Sequence, residues 1–200
     1  MIHCAGVSGA LEDAKRVEEG LKGGRYGCIK IYLGYVKRWA SAEEYKVFYR
    51  LAEKFDVPVV FHTGDTYDID GHIKYAEPTT IDEVAVEFRK VTFVIAHLGN
   101  PWIQSAAEVA YKNPNVWLEG SALMVGNLDK KSKAAVDELM VKPTKWAFTY
   151  LEFPKKLMFG TDWPLTDVAS YIAAYKRAIP KEHWKAVFHD NAAKVFKFKR

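Results

Sequence analysis

Short apolar runs alternate with helical patterns along nearly the whole chain. Such runs, bounded by turn residues, are typical of strands that are buried on both faces of a sheet. We predict strands over residues 2–8, 28–33, 57–62, 92–97, 116–121 and 157–162. Because strands that alternate with helices form parallel sheets with right-handed crossovers, this pattern predicts an α/β fold with its helices outside the sheet.

The segments between the strands carry apolar residues at helical spacing. Capping boxes at 41–44 and 80–83 mark two helix starts, and Pro101 stands where a first turn tolerates proline. We predict helices over 10–22, 41–55, 80–90, 101–112, 128–141, 143–151, 167–178 and 181–196.

Three of the predicted strands end in a residue that can bind a metal or move a proton. The third, fourth and sixth strands end in His62, His97 and Asp162. A single histidine at a strand end is more often structural, and Asp162 alone could equally cap the next helix. Three such ends in parallel favour one shared site, because α/β barrels carry their chemistry at this edge. Two imidazoles and a carboxylate suit a divalent ion such as zinc.

Lys30 interrupts the otherwise apolar second strand. An unpaired buried ammonium is costly, so this lysine requires an explanation. It either faces the predicted site, where it would meet an anionic substrate or a ligand carboxylate, or it reaches solvent at an edge. We favour the first interpretation. Tyr32 points to the same face, because side chains alternate along a strand.

Three motifs carry a resemblance to a known family: FHTG at 61–64, AHLG at 96–99 and GTDWP at 160–164. Together with the segment 190–196, they resemble the amidohydrolase-related family, whose members are metal-dependent (β/α)8 barrels and include aminocarboxymuconate-semialdehyde decarboxylase. The family pattern begins with a strand carrying a His-x-His pair, and this sequence has no such pair. The resemblance therefore implies one domain over 1–200 that corresponds to the last six units of a TIM-like barrel, incomplete at its N-terminus.

The resemblance also implies a function. It suggests a metal-dependent hydrolase that cleaves a C–O, C–N or C–C bond, or a non-oxidative decarboxylase, acting on a small carboxylate-bearing or aromatic substrate. By motif, His62 and Asp162 would bind the metal, and His97 and Asp162 would be catalytic. Residues expected to contact substrate are Lys30, Tyr32, Trp102 and Trp163.

The missing His-x-His pair leaves alternatives open. Two protein ligands hold zinc poorly, so we expect a divalent metal, zinc by ligand type, that is weakly bound or absent. A longer natural protein, a weak metal, or a metal-free relative acting on a lactone-like substrate would each account for the missing pair. The other functional class is a non-catalytic, degenerate barrel that serves as a binding or assembly module.

Composition narrows the possible partners. The net charge is +4, but the lysines are scattered and the one basic cluster is 197–200, so we expect no nucleic-acid surface. Because no apolar run is long enough to cross a membrane and no signal peptide is seen, we predict a cytoplasmic protein. The two cysteines, Cys4 and Cys28, are predicted to be reduced. Unpaired edges at the first and last strands predict a homodimer.

Overall fold

A computed structural model describes residues 1–152 and 154–198, so Lys199 and Arg200 of the predicted basic cluster lie outside the described residues. Within those residues, six strands form one sheet in chain order, and every neighbouring pair is parallel. The predicted six-stranded α/β sheet is thus confirmed. The strands are β1 (Cys4–Val7), β2 (Cys28–Tyr32), β3 (Val59–His62), β4 (Phe93–Ile95), β5 (Val116–Glu119) and β6 (Leu157–Met158).

The register sets the carboxyl ends of neighbouring strands side by side. Tyr32 pairs with His62, and Glu119 pairs with Met158. In the described part of the chain β1 and β6 are not paired with each other, so the sheet is open between them. This arrangement is a TIM-like barrel with six of eight strand units.

Helices follow the strands and cover the outer face of the sheet. The α-helices are α1 (Leu11–Lys22), α2 (Glu43–Phe55), α3 (Thr80–Glu87), α4 (Ile103–Lys112), α5 (Lys133–Val136), α6 (Lys142–Tyr150), α7 (Val168–Ala178) and α8 (Asn191–Phe196). No helix in the described residues has the length and apolar character needed to cross a membrane.

The two faces of the sheet have different roles. Outward side chains such as Ile31 and Phe61 join the main core with the helices. Inward side chains, among them Val94, Trp117 and Met158, form a second cluster that α8 covers. The inner face is therefore packed near the middle of the strands except at Lys30, and its other polar residues lie toward the carboxyl ends.

Both predicted capping boxes are wrong. The residues before α2 and α3 are Ala42 and Thr79, and neither side chain makes a capping hydrogen bond to its helix. The cap of α2 lies one residue after the predicted Ser41, and the cap of α3 lies one residue before the predicted Thr80. Neither predicted hydroxyl is therefore at the cap position. By contrast, the Asp167 carboxylate does cap α7, since it accepts a 2.9 Å hydrogen bond from the Ser170 N–H.

The helices predicted over 128–141 and 143–151 are divided differently. A short 3-10 turn at Leu128–Lys130 stands apart, and α5 runs through a π-helical turn at Asp137–Val141 directly into α6. Pro143 lacks the N–H that a regular α-helix would bond to the carbonyl of Leu139. The wider π turn just before it accommodates the proline without ending the helix.

The prediction of reduced cysteines is wrong, because Cys4 and Cys28 form a disulfide. They are direct partners in the β1–β2 register, with Cα atoms 4.3 Å apart. That separation lies just below the usual range for disulfides, which is about 4.4–6.8 Å. Counting cysteines gives no information on this pairing, which depends on the alignment of two neighbouring strands.

Candidate active site

A pocket of about 490 Å³ opens at the carboxyl ends of the strands. It receives residues from the ends of β2 and β3, from the turns after β4 and β6, and from the loops that follow. Its lining consists of Lys30, Tyr32, Tyr35, His62, Thr63, Asp65, Tyr67, His97, Asn100, Ala122, Val125, Asp162 and Leu165.

His62 is the last residue of β3, and its side chain is buried. Its Nε2 lies 2.9 Å from the Asp65 carbonyl oxygen, which can only accept, so Nε2 carries the hydrogen. The ring packs edge-on against Tyr35 and against His97, at 4.8 and 5.0 Å between centroids. The two predicted histidines are therefore in direct contact.

His97 lies in a turn immediately after β4 and has a left-handed backbone, with φ at 60°. Asp162, after β6, is also left-handed, with φ at 58°. Non-glycine residues seldom adopt this conformation, and it concentrates at functional sites. The glycine of the first motif has a related role, because a Cβ on Gly64 would lie 2.0 Å from the Asn100 carbonyl oxygen. Gly64 thus lets the loops after β3 and β4 touch.

A hydrogen-bonded chain leads from His97 away from the pocket. Its Nδ1 lies 2.9 Å from the Ser121 hydroxyl, which donates a 2.8 Å hydrogen bond to the Glu119 carboxylate. Glu119 is the last residue of β5, and the same carboxylate also lies 3.4 Å from the His97 backbone N–H. Sequence reasoning missed Glu119 and Ser121 as site residues. A signal was present, because Glu119 is a charge in an apolar strand, as Lys30 is.

Gly160 makes room for Glu119. A Cβ at position 160 would lie 1.6 Å from the Glu119 Oε1 atom. The glycine of the third motif is therefore explained by close packing between the carboxylate of β5 and the backbone that follows β6.

Lys30 is half-buried and lines the pocket from the middle of β2. Burial lowers the pKa of its ammonium to about 8, and the negative charges of Glu119 and Asp162 oppose that shift. Its Nζ also lies 5.4 Å from the centroid of the Tyr32 ring. At neutral pH the pocket thus contains an ammonium ion beside an aromatic face.

The two histidines are neutral at the same pH. Burial, and then the charges of His97 and Lys30, lower the pKa of His62 to about 3. Burial and Lys30 lower the pKa of His97 to about 4. Burial raises the pKa of Glu119, while Ser121 and Lys30 act against that rise. These neutral imidazoles can accept a proton, but they lack the second ring proton that an imidazolium would donate.

The structure brings most of the predicted site residues together. His62, His97, Asp162, Lys30 and Tyr32 all line this pocket. The two predicted tryptophans do not line it. Trp102 is half-buried in neighbouring grooves, and Trp163 is 74% exposed beside a different groove. Trp163 is next to Asp162 in the sequence, but its side chain points outward and does not line the pocket.

The donors present do not make a complete metal centre. Within residues 1–152 and 154–198 no three histidine, cysteine, aspartate or glutamate side chains are grouped closely enough to hold an ion. One nitrogen of His62 is bonded to the Asp65 carbonyl, and one of His97 to Ser121. The Lys30 ammonium in the same pocket adds a positive charge that opposes cation binding. The described donors at this site therefore do not fit a tightly bound metal ion.

Solved structures of other proteins share the fold of this chain. An uncharacterised TIM-barrel protein from Bordetella bronchiseptica aligns with a TM-score of 0.75 at 20% identity, covering 98% of this chain and 66% of that one. A 5-carboxyvanillate decarboxylase from Novosphingobium aromaticivorans, with bound manganese and 3-methoxy-4-hydroxy-5-nitrobenzoic acid, aligns with a TM-score of 0.70 at 15% identity, covering 98% and 65%.

A third structure is a probable 2-pyrone-4,6-dicarboxylic acid hydrolase from Acinetobacter baumannii with bound citric acid. It aligns with a TM-score of 0.66 at 16% identity, covering 98% of this chain and 72% of that one. The chain thus spans about two thirds of the length of the first two structures. None of the curated proteins compared with the sequence matches it.

The sequence identities to these solved structures are low, so the structures show the fold alone. The family is established by a family model instead. The model of the amidohydrolase family described as "Amidohydrolase" matches residues 5–198, which is nearly the whole chain. That span includes β2 to β6, all of β1 except Cys4, and the three motifs that carry His62, His97 and Asp162. This chain belongs to the amidohydrolase family.

Proposed function

We propose that this protein is a hydrolase that binds a small, carboxylate-bearing aromatic or lactone-like substrate in the pocket at the carboxyl ends of the strands. The observation that carries the proposal is the Lys30 ammonium inside a pocket whose two histidines are neutral at pH 7. An ammonium removed from bulk water attracts an anion more strongly than one in solvent does. A carboxylate is the anion that best matches this single charge.

The aromatic side chains around Lys30 suit a flat substrate. Tyr32 and Tyr35 pack edge-on at 6.3 Å, and Tyr35 lies on His62. Rings in edge-on or offset contact favour a further aromatic ring at similar distances. We therefore place the ring of the substrate against these tyrosines and its carboxylate on Lys30.

His97 is the proposed general base. Its Nδ1 is bonded to Ser121, which leaves Nε2 as the nitrogen with a free lone pair. In ester or lactone hydrolysis, water attacks the carbonyl carbon and its proton passes to Nε2. The C–O bond of the tetrahedral intermediate then breaks, and the departing oxygen takes that proton back from Nε2. Non-oxidative decarboxylation, the reaction of one structural neighbour, needs an acid that protonates the ring carbon. The lowered pKa leaves His97 unprotonated at neutral pH, so the ring is available as a base and not as an acid.

The metal and the assembly state are further parts of the proposal. We propose that zinc or another divalent ion binds at most weakly, through His62 and Asp162, because the described residues supply no third ligand close by. We also propose a symmetric dimer, in which the unpaired edges of β1 and β6 are buried. The cytoplasm stays the proposed compartment, although disulfides are uncommon there.

Calorimetric titration with benzoate and with isophthalate tests the substrate class. We expect Lys30→Met to weaken binding at least tenfold, since it removes the cation and keeps the length of the side chain. The matched control is Lys74→Met, because Lys74 also lies over a tyrosine, 4.9 Å from the Tyr75 centroid, but outside this pocket. Binding by the wild-type protein is expected to fall as pH rises through about 8, where Lys30 loses its charge.

Equal binding by Lys30→Met and wild type would overturn the placement of the carboxylate. Turnover then separates the enzyme from the second candidate, a non-catalytic binding module. The module is favoured by the lack of three grouped metal ligands among the described residues. Hydrolysis of aryl esters or lactones bearing a carboxylate, lost in His97→Gln, supports the enzyme. Tight binding with no turnover across such a panel, with and without added zinc or manganese, supports the module.

A further inference from the structure

The turn after β5 places two residues without an assigned role behind His97. Ser121 is buried, and Glu119 lies beneath it at the end of β5. Neither residue lines the pocket, so neither can touch a substrate there. Their contacts are with the histidine.

We propose that Glu119 acts through the Ser121 hydroxyl to hold His97 in the tautomer with hydrogen on Nδ1, so that Nε2 keeps its lone pair for the pocket. Both are positioning residues in this proposal. The tautomer follows from the hydrogen-bond geometry with Glu119 ionised, a state that the Ser121 hydroxyl and the Lys30 ammonium both favour. The catalytic benefit, which is stabilisation of the charge that the ring gains when Nε2 takes a proton, rests on the proposed function.

The directions of the hydrogen bonds carry the inference. An ionised carboxylate only accepts, so the single hydroxyl hydrogen of Ser121 points to Glu119, at 2.8 Å. The Ser121 oxygen then faces the His97 Nδ1 with its lone pairs, at 2.9 Å. A hydrogen bond at that distance requires the hydrogen to be on Nδ1. The Ser121 carbonyl oxygen, 3.3 Å from the same nitrogen, is a second acceptor and gives the same tautomer.

Glu119 is the far end of the hydrogen-bonded chain that starts at His97, and its surroundings hold it in place. The absence of a Cβ at Gly160 leaves the space that the carboxylate occupies, because a Cβ there would lie 1.6 Å from the Glu119 Oε1 atom. The backbone N–H of His97 faces the carboxylate oxygen that accepts from Ser121, at 3.4 Å. Glu119 thus interacts with both the main chain and, through Ser121, the ring of one residue. That residue, His97, has a left-handed backbone, and contacts of this kind hold such a conformation in place.

A serine nucleophile is the competing interpretation of a hydroxyl 2.9 Å from a histidine. In that case the hydroxyl would give its hydrogen to the imidazole and face the substrate. Here the hydroxyl is buried, does not line the pocket, and has a carboxylate as its acceptor. The arrangement is that of a support for the histidine.

Nitrogen-15 NMR of the labelled full chain at neutral pH measures the tautomer directly, with His97→Gln to assign the signals. We expect hydrogen on Nδ1 and a pyridine-type Nε2 in the wild type. Ser121→Ala removes the hydroxyl acceptor, and Glu119→Gln lets the hydroxyl turn toward the ring. Both are expected to raise the population with hydrogen on Nε2, and Ser121→Thr, which keeps a hydroxyl, is expected to restore the wild-type signals.

Ser170→Ala is the matched control, because it deletes another buried hydroxyl, one that accepts from the Leu128 N–H away from this site. It is expected to leave the His97 signals in place. The double variant of Glu119 and Ser121 should give the same signals as Ser121→Ala, since Glu119 acts through the serine. Thermal unfolding confirms that each variant is folded, and the wild type and Ser121→Thr keep the test decisive if Ser121→Ala does not fold.

Hydrogen on Nε2 in the wild type would overturn the proposal, and so would unchanged signals in a folded Ser121→Ala. A Glu119→Gln effect that persists undiminished in the Ser121→Ala background would show that Glu119 does not act through the serine. None of these readings needs a substrate, so failure of the proposed hydrolase leaves them intact. If the hydrolase is found, Glu119→Gln should lower kcat about 10- to 100-fold with little change in KM.

Discussion

Replacing Gly160 with alanine tests how firmly Glu119 is held beside β6. The new Cβ would lie 1.6 Å from the Glu119 Oε1 atom and 2.7 Å from its Cδ, far inside van der Waals contact. The clash is with the end of a side chain, which could be moved at little cost if it were free. Glu119 is not free, because the Ser121 hydroxyl and the His97 N–H both bond to its carboxylate.

The cost follows from the bonds that must break. A hydrogen bond to a charged group contributes about 1.5–3 kcal/mol, and the 2.8 Å bond from Ser121 is the stronger of the two. Against this, an alanine reduces the freedom of the unfolded chain, which stabilises by about 0.4–1 kcal/mol. We expect a net loss of about 2 kcal/mol in the free energy of unfolding. For a chain of this size that loss lowers Tm by about 4–8 °C.

Urea denaturation of four proteins measures the effect: wild type, Gly160→Ala, Glu119→Ala and the double variant. Once the carboxylate is gone, alanine at 160 should cost nothing or stabilise slightly, so the two changes should couple by about 2 kcal/mol. Gly6→Ala is the control, because its Cβ would meet only the Tyr32 ring at an ordinary 3.6 Å. If Gly160→Ala lowered the free energy of unfolding equally in the wild type and in Glu119→Ala, the proposed packing of Glu119 against Gly160 would be refuted.

Four further predictions concern stability, metal and assembly. Unfolded histidines take up protons below about pH 6.5, whereas burial lowers the pKa of His62 to about 3 and of His97 to about 4. The free energy of unfolding should therefore fall by about 2 kcal/mol per histidine between pH 7.5 and 5, and His97→Gln should remove about half of that dependence in urea titrations. Calorimetric titration with zinc should give a dissociation constant weaker than nanomolar, and a nanomolar value would mean that ligands have been overlooked. Reducing the Cys4–Cys28 disulfide, which closes a sequence separation of 24, should lower the free energy of unfolding by about 3 kcal/mol, whereas no change in urea midpoint would contradict the pairing. Light scattering at micromolar concentration should give twice the chain mass of 22.7 kDa, and a monomer with the 2–8 backbone protected from hydrogen exchange would exclude the dimer.

The order of strands and helices could be predicted from the sequence because its signal is local. Apolar runs of strand length and helical spacing depend on nearest neighbours along the chain. The parallel arrangement then placed the ends of β3, β4 and β6 at one edge, so His62, His97 and Asp162 could be assigned to one pocket before any distance was known. Lys30 could also be assigned to the site from the sequence, because a charged residue within an otherwise apolar strand requires a specific contact.

Tertiary structure alone decided which neighbours those residues meet. The β1–β2 register joined Cys4 to Cys28, and the turn after β6 carried Trp163 outward while Asp162 stayed at the pocket. Ser121 and Glu119 lie more than twenty positions from His97 in sequence, and their hydrogen bonds to it arise from the packing of β5 beside β4. Local pattern places a residue on a strand and gives it a face, but contacts across strands depend on register, loop path and side-chain rotamer, which nearest-neighbour preferences along the chain do not fix.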